Sequence, residues 1–200
     1  MDHNKVHEQA YNYQPNRKYT YRDYLNWTDD IRREIIDGKV YEMTATPSRK
    51  HQEVLLALAT AFSNYLKDKT YEVYIAPFDV RLPEVSETDE KAINVVQPDL
   101  SVFCDKDKLD EKGAVGSPDL IIEVISPSTL KKDMTVKKSL YEKMGVQEFW
   151  LVYPMEGIIT TYELNKQERY SPFETYGKGD CIKIGIFEDF SIDLTTIFRE

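Results

Sequence analysis

The chain has 200 residues, 41% of them hydrophobic and 30% charged, with a formal net charge of −9. This size suits one domain with a sizeable core. The acidic balance argues mildly against a dedicated nucleic-acid binder, which usually carries a basic field. The polar first ten residues do not resemble a signal peptide, and no apolar run approaches the ~20 residues of a membrane span. Cys104 and Cys181 lack metal-type spacing, so we expect a cytoplasmic protein with reduced cysteines and no membrane segment.

The N-terminal region predicts an arm, a short helix and a hairpin. Residues 1–18 are polar and lack periodicity, so we expect a loose arm followed by one domain over residues 19–200. "TYRDYLNW" is typical of a short helix, with Thr20 as its N-cap and Asp23 completing a capping box. "REIIDGKVYEMTA" predicts a β-hairpin that turns at Asp37–Gly38.

The clearest helical pattern is "TPSRKHQEVLLALATAFSNYLKDK". Thr46 is the predicted N-cap, and Pro47 fits the first turn. The apolar residues recur at helical spacing and form one stripe that should face the core. This stripe consists of Val54, Leu55, Leu58, Phe62, Tyr65 and Leu66.

The rest of the chain alternates strand-like segments with loops and one more helix. Strands are predicted at residues 71–82, in "QPDLSVFC" and in "SPDLIIEVIS", with the charged stretch 105–112 linking the last two. A helix over residues 131–144 should end at Gly145. "EFWLVYP" and "GIITTYEL" are two more strands, and short strands and turns follow. This order predicts an α/β or α+β domain with one mixed sheet.

One strand contains a glutamate, Glu123, within an apolar run. A buried carboxylate is costly unless a partner neutralises it. Strand side chains alternate, so Glu123 shares a face with Ile121 and Ile125. If the strand that Asp99 opens is a neighbour, the two carboxylates converge, and they repel each other unless a cation lies between them. Oxygen ligands at this density suit magnesium or manganese.

The helix after this strand contains a lysine on its apolar face. On a wheel of about 100° per residue, Lys137 falls among Leu140, Tyr141 and Met144, whereas Lys138 faces solvent. The long stem of a lysine can carry its ammonium across apolar surface to a polar site. Two carboxylates and a metal in front of the sheet would supply that site.

Structural explanations stay open for these residues. Glu123 and Lys137 could form a buried ion pair with no catalytic role. His51, in the first turn of the long helix, is a better candidate for a cap or a packing residue than for a ligand. Segment 131–143 has five lysines against two acidic residues, a local charge of +3. It either faces an anionic ligand or forms a solvated helix face.

Taken together, several motifs resemble a known family. "QPDLSVF", "GSPDLIIEVISPST" and "DMTVKKSLYEKMGVQEFWLVYP" are similar to the Uma-two type "putative restriction endonucleases", part of the PD-(D/E)XK nuclease superfamily. "IIDGKVYEM" and "SRKHQEVLLAL" also resemble the N-terminal half of that family. The resemblance covers about residues 31–154. It implies a restriction-endonuclease-like core, a mixed sheet flanked by helices, with the active site at one edge.

The resemblance also implies site residues. Asp99 and Glu123 correspond to the acidic motif residues that bind a divalent metal, magnesium or manganese. The motif lysine would stand at Ile125; the matching family lysine is instead Lys137, which the helical wheel independently places on the buried face. Glu34 matches an upstream glutamate and is implied as an additional metal ligand.

The implied function is a metal-dependent endonuclease that hydrolyses phosphodiester bonds in DNA, with Asp99, Glu123 and Lys137 as its catalytic residues. A homodimer is implied because cutting both strands of a duplex needs two sites. Two alternatives stay open: a catalytically silent binding or assembly module of the same fold, and a metal-dependent hydrolase of small phosphate esters. The lysines expected to contact neighbouring phosphates are Lys131, Lys132 and Lys138.

Overall fold

The structure, a computed structural model, describes residues 14, 16–43, 46–84, 87–171 and 173–199. Most of the predicted arm lies outside these residues, and the division into arm and domain stays a prediction. The helices are α1 (Tyr21–Leu25), α2 (Arg49–Leu66) and α3 (Lys138–Lys143), and a π-helical turn (Lys132–Lys137) leads into α3. The strands are β1 (Arg33–Ile36), β2 (Lys39–Glu42), β3 (Glu72–Ile75), β4 (Val80–Arg81), β5 (Val95–Val96), β6 (Leu100–Phe103), β7 (Leu109–Asp110), β8 (Gly113–Val115), β9 (Leu120–Val124), β10 (Glu148–Tyr153), β11 (Ile158–Glu163), β12 (Glu174–Gly177), β13 (Cys181–Lys183) and β14 (Ser191–Asp193).

The strands form two mixed sheets and one small ribbon. The first sheet has the order β2-β1-β5-β4-β8-β7, and the second has the order β12-β11-β10-β9-β6-β3. In each sheet one neighbouring pair runs parallel, β4 with β8 and β9 with β10, and the other pairs run antiparallel. Strands β13 and β14 pair only with each other. The predicted α+β class with mixed pairing is confirmed, but the prediction of a single sheet is wrong.

The single-sheet prediction fails because continuous apolar runs divide between the two sheets. The run at residues 71–82 breaks at Ala76–Pro77, where the proline lacks an N–H for strand pairing. Its first half, β3, joins the second sheet, and its second half, β4, joins the first. The run at 95–103 divides in the same way into β5 and β6. The charged stretch 105–112, predicted as a plain linker, contains β7.

The second sheet is the central layer of the molecule. On one face, its strands β9 and β10 pack against the apolar stripe of α2 and the C-terminal segment. On the other face, Ile121 and Phe149 pack against Leu140 and Tyr141 of α3 and against the first sheet. The space between the two sheets therefore receives the face of β9 that holds Glu123.

Local signals at turns and helix ends are mostly confirmed. The capping box of α1 is present, and the hairpin between β1 and β2 turns at Asp37–Gly38, both with positive φ. The predicted cap of α2 is wrong, however. The cap is Ser48, whose hydroxyl accepts from the backbone N–H of His51 at 3.2 Å. Thr46 lies two residues earlier and is exposed. No helix among the described residues is long and apolar enough to cross a membrane.

Replacing Ser48 by alanine should lower the free energy of unfolding by about 1 kcal/mol, because the N–H of His51 then loses its acceptor. Thr46→Ala is the matched control and should change it by less than about 0.5 kcal/mol. Urea denaturation measures both. A larger effect at Thr46 than at Ser48 would restore the sequence-based assignment of the cap.

Glu148, at the start of β10, is buried away from any cavity described below. Its Oε1 accepts from Nε1 of Trp150 at 2.7 Å, and its Oε2 accepts from the backbone N–H of Ile186 at 3.1 Å. Burial raises the pKa of this carboxyl to about 7, although both hydrogen bonds oppose the rise. The folded protein therefore holds this proton more tightly than the unfolded chain does.

A raised carboxyl pKa contributes stability at low pH that is lost as the pH rises through about 7. Between about pH 5 and 8, the free energy of unfolding should fall by on the order of 3 kcal/mol through Glu148. Glu148→Gln should remove this part of the slope. Glu163→Gln, at the exposed position opposite Glu148 in the β10–β11 pair, should leave most of it. If Glu148→Gln keeps the parental dependence of the free energy of unfolding on pH, Glu148 is not the group responsible for it.

Candidate functional site

Glu123 lies in the middle of β9 and is 3% exposed. Strands β6 and β9 are antiparallel neighbours, with Leu100 opposite Ile122. Asp99, one residue before β6, therefore falls opposite Glu123, and its Oδ2 accepts from the backbone N–H of Val124 at 2.8 Å. The prediction that these two strands are neighbours is confirmed.

Lys137 is 2% exposed, as the helical wheel predicted. Its Nζ lies 2.8 Å from Oε1 of Glu123 and 2.8 Å from Oε1 of Glu34. Asp133, one turn earlier, is 3.9 Å away. Burial would lower the pKa of Lys137, but the surrounding carboxylates, Glu123 first, raise it well above its ordinary value. The ammonium therefore stays charged at neutral pH.

Glu34 extends from β1 of the first sheet, and both of its oxygens are bonded. Oε1 accepts from Lys137 and from the backbone N–H of Gln97 at 3.0 Å, and Oε2 accepts from Lys132 at 2.6 Å. Burial favours a raised pKa for Glu34, but the two ammonium groups outweigh it and lower the pKa. This placement makes Glu34 a partner of lysines and does not support the expectation that it is a direct metal ligand.

The pKa values of Glu123 and Asp133 are raised, whereas that of Glu34 is lowered. Burial raises the pKa of Glu123 to about 8; Lys137 opposes this, and the charges of Asp133, Asp99 and Glu34 add to it. Burial also raises the pKa of Asp133, whose Oδ1 is buried without a hydrogen-bond partner among the described residues. The ionised forms of Glu123 and Asp133 are therefore disfavoured unless a further positive charge lies near them.

Tyr141 is a site residue that the sequence interpretation missed. Its hydroxyl donates to Oε1 of Glu123 at 2.7 Å, and the side chain is fully buried. Burial, followed by the charge of Glu123, raises the pKa of Tyr141 well above its ordinary value. Its position four residues after Lys137, on the same helical face, was the available signal.

His51 lies beside Asp99. The Nε2 of His51 is 3.3 Å from Oδ2 of Asp99, and its Nδ1 is buried with no hydrogen-bond partner in the described part of the chain. Burial lowers the pKa of His51, but the hydrogen bond and charge of Asp99 raise it overall. The side chain is therefore neither the cap of α2 nor a simple packing residue. Its spacing from Val54 and Leu58 on the apolar stripe pointed to burial.

The helix that carries Lys137 has an unusual first part. Lys132–Lys137 is π-helical, with hydrogen bonds to the fifth residue back in place of the fourth, so the predicted regular α-helix is wrong there. Asp133 and Lys137 still share the buried face. Single π-turns inside helices are rare and occur frequently at functional sites.

These groups surround one cavity of about 340 Å³. Its walls include His51, Asp99, Glu123, Asp133 and Lys137, and the loop after β9 forms part of its rim. With Glu34, the cluster has four carboxylates beside the two paired lysines, and Arg32 and His51 also line the cavity. A cation between Asp99 and Glu123 would offset the burial that raises the pKa of Glu123.

The donor set fits magnesium or manganese held partly by water. No three His, Cys, Asp or Glu side chains in the described ranges are placed to hold one ion together. Magnesium, however, usually keeps several waters and binds proteins through one or two carboxylates. Asp99 and Glu123 can supply these, because Lys137 and Tyr141 both occupy Oε1 of Glu123 and leave Oε2 for an ion. Oδ1 of Asp133 has no hydrogen-bond partner among the described residues and lies 3.9 Å from Nζ of Lys137, so it too would gain from a cation in the cavity.

The three lysines predicted to contact phosphates have different surroundings. Lys131 is exposed at the start of the helix. Lys132 is paired with buried Glu34, and Nζ of Lys138 lies 4.2 Å from the ring centre of Tyr162. Of these three, only Lys131 is placed to meet a ligand without breaking a described contact.

The mixed α+β fold, with its carboxylate–lysine cluster at the central sheet, is shared with a solved structure described as "a putative nuclease", so the chain has a nuclease-like fold. The chain belongs to the Uma2 family, whose description is "Putative restriction endonuclease" and which matches residues 21–195. The resemblance inferred from the sequence motifs is thus confirmed.

Two other proteins are similar to this chain. The chain is 29% identical over 154 residues to the "Uncharacterized protein slr1290" of Synechocystis sp., covering 76% of this chain and 77% of that protein. A crystal structure described as "a putative nuclease belonging to DUF820 from Anabaena variabilis" has a TM-score of 0.70 at 18% identity. That match covers 90% of this chain and 97% of the Anabaena chain. At this identity the match establishes the shared fold.

The buried cluster predicts a large stability effect at Lys137. Without added metal, Lys137→Met should lower the free energy of unfolding by about 3–5 kcal/mol, because two buried carboxylates lose their shared cation. Lys143→Met is the matched control on the same helix. Its ion pair with Glu84 is exposed to solvent, so the change should stay below about 1 kcal/mol. Equal effects in urea denaturation would contradict the buried ion-pair network.

Proposed function

We propose that this protein is a metal-dependent endonuclease that hydrolyses phosphodiester bonds in DNA, with magnesium or manganese as its cofactor. The observation that carries the proposal is the cluster of Asp99, Glu123 and Asp133, three carboxylates that line one cavity around buried Lys137. Membership in the Uma2 family and the nuclease-like fold support the reaction class.

In this proposal, Asp99 and Glu123 hold the ion, and Asp133 adds negative charge beside it. When bound, a divalent ion acidifies a water and neutralises charge on the phosphoryl oxygens. Lys137 stays protonated because its pKa is raised well above the ordinary value. It therefore orients the attacking water or stabilises developing negative charge and does not remove a proton. Glu34 and Tyr141 hold Lys137 and Glu123 in place.

Two exposed cations can supply further substrate contacts at the cavity and beside it. Arg32 lines the cavity, and its guanidinium donates to Oε1 of Gln97 at 2.7 and 2.9 Å, which fixes its direction. Lys131 is exposed on the helix that carries Lys137. Both can contact phosphates next to the scissile bond. We propose a homodimer for cleavage of both strands, acting on DNA in the cytoplasm.

The competing function is a silent module that uses the same fold for binding or assembly. One observation favours it: Lys137 already neutralises Glu123 at 2.8 Å, so the network is largely complete without metal. The raised pKa of Glu123, to about 8, opposes it, because a purely structural ion pair would leave that carboxylate satisfied. Metal binding separates the two functions directly.

Manganese should bind the parent protein in calorimetry and fail to bind Asp99→Asn and Glu123→Gln, because each amide keeps the shape of the side chain and removes the charge. Glu188→Gln, at an exposed carboxylate, is the control and should bind as the parent does. If both site variants still bind manganese, Asp99 and Glu123 are not the metal ligands.

Plasmid cleavage in magnesium and in manganese tests the chemistry. Lys137→Met should cleave about 10²-fold more slowly than the parent, because the ammonium no longer stabilises the negative charge that develops at phosphorus. Lys143→Met is the matched control and should cleave at the parental rate. Full activity in Lys137→Met would exclude it from the mechanism, and a parent that cleaves no DNA would favour the silent module.

A further inference from the structure

A second cavity, of about 510 Å³, adjoins the carboxylate–lysine cavity. Gln97 lines both cavities. Its backbone N–H holds Glu34, and its side-chain Nε2 donates to Oδ1 of Asp79 at 2.8 Å on the side of the second cavity. Gln97 therefore separates a ligand in the second cavity from the candidate reaction site. The volume of the second cavity lies within the range of pockets that hold small ligands.

Two aromatic rings form one wall of this cavity. The rings of Tyr74 and Phe78 are parallel, with centroids 4.2 Å apart and an interplanar angle of 6°. Both make edge contacts with buried Phe103, at 6.3 and 6.1 Å. The core therefore holds these rings before any ligand arrives. Stacking on a fixed ring is the usual way in which proteins bind unpaired nucleobases.

Asp79 is the hydrogen-bond acceptor of the cavity that lies beside the aromatic rings. Oδ1 of Asp79 accepts two hydrogen bonds, one from the hydroxyl of Tyr24 at 3.0 Å and one from Nε2 of Gln97. Oδ2 is therefore left to accept from a ligand. Asp110, Glu111 and Lys112 also line the cavity, and Asp110 is paired with Arg81 at 2.6 Å. The carboxylates of the lining still outnumber its one lysine, which favours an uncharged ligand over a phosphate. A neutral, flat ligand with an amino donor fits this combination, and carboxylates accept from the exocyclic amino group of cytosine.

We propose that this cavity, the aromatic pocket (Tyr24, Tyr74, Phe78, Asp79 and Gln97), binds an unpaired nucleobase that carries an exocyclic amino group. The inference rests on the proposed nuclease function and specifies its substrate. A paired base offers neither a free face for stacking nor a free edge for Asp79. The substrate is therefore single-stranded or locally opened DNA, with the base next to the scissile phosphate held in the aromatic pocket.

Fluorescence anisotropy with labelled oligonucleotides tests the proposal. The probes are single strands of deoxycytidine, deoxyadenosine or thymidine, about 12 nucleotides long, and a duplex of equal length, all in EDTA so that no metal-dependent cleavage occurs. The parent should bind the deoxycytidine and deoxyadenosine strands about tenfold more tightly than the thymidine strand and the duplex.

Variants locate the binding. Tyr74→Leu should weaken binding of the deoxycytidine strand about tenfold, because one base loses its stacking surface. Phe173→Leu, at an aromatic residue 61% exposed and outside the pocket, should bind as the parent does. Asp79→Asn replaces an acceptor by a donor and should remove the preference over thymidine. Circular dichroism confirms folding, and Phe78→Leu replaces Tyr74→Leu if that variant does not fold.

The outcomes separate this proposal from the proposed nuclease function. A parent that cleaves plasmid DNA but binds all four probes alike, or a folded Tyr74→Leu or Phe78→Leu with parental affinity, overturns the aromatic pocket and leaves the nuclease function standing. Absence of measurable binding to any single strand also overturns the pocket. A parent with the expected base preference but no cleavage supports the pocket and contradicts only the catalytic proposal.

Discussion

The rest of the structure depends on the two ion pairs that the ammonium of Lys137 makes. It lies 2.8 Å from Glu34 on β1 of the first sheet and 2.8 Å from Glu123 on β9 of the second. One buried charge thus joins both sheets and the helix that carries it. Each carboxylate alone would be costly to bury, and so would the lysine. Buried together, the three charges offset one another's burial cost and link β1, β9 and the helix beside the cavity.

The two carboxylates do not share that charge equally, and this inequality has a chemical consequence. Glu34 has two lysines and a lowered pKa, whereas Glu123 has one lysine, a tyrosine hydroxyl and a pKa raised to about 8. Glu34 completes the structural part of the network. Glu123, with Asp99 opposite it, retains the unmet demand for positive charge that a divalent cation would satisfy. The structural ion pair and the proposed metal site thus share Glu123 but use different oxygens. Its Oε1 accepts from Lys137 and Tyr141, and its Oε2 is left for the ion.

An acidic protein can act on DNA if base contacts contribute much of its affinity. The net charge is −9, and two of the three predicted phosphate-binding lysines have other contacts. The aromatic pocket would obtain affinity from stacking and from Asp79, neither of which requires a basic surface. Binding of this kind should depend less on salt than binding through many phosphate contacts. Gln97 connects the pocket to the reaction site through one side chain and one backbone N–H.

The sequence by itself determined the α+β class, most strand positions, the capping box of α1, and the burial of Glu123 and Lys137. These features follow from local spacing and from the cost of an isolated charge among apolar residues. Only the tertiary structure decided that the strands form two sheets, that Ser48 caps α2 and that residues 132–137 form a π-turn. It also decided the partners. Glu34 binds Lys137 and Lys132, His51 lies beside Asp99, and Tyr141 donates to Glu123. Such contacts join residues far apart in the chain, and neither alternation nor helical spacing contains that information.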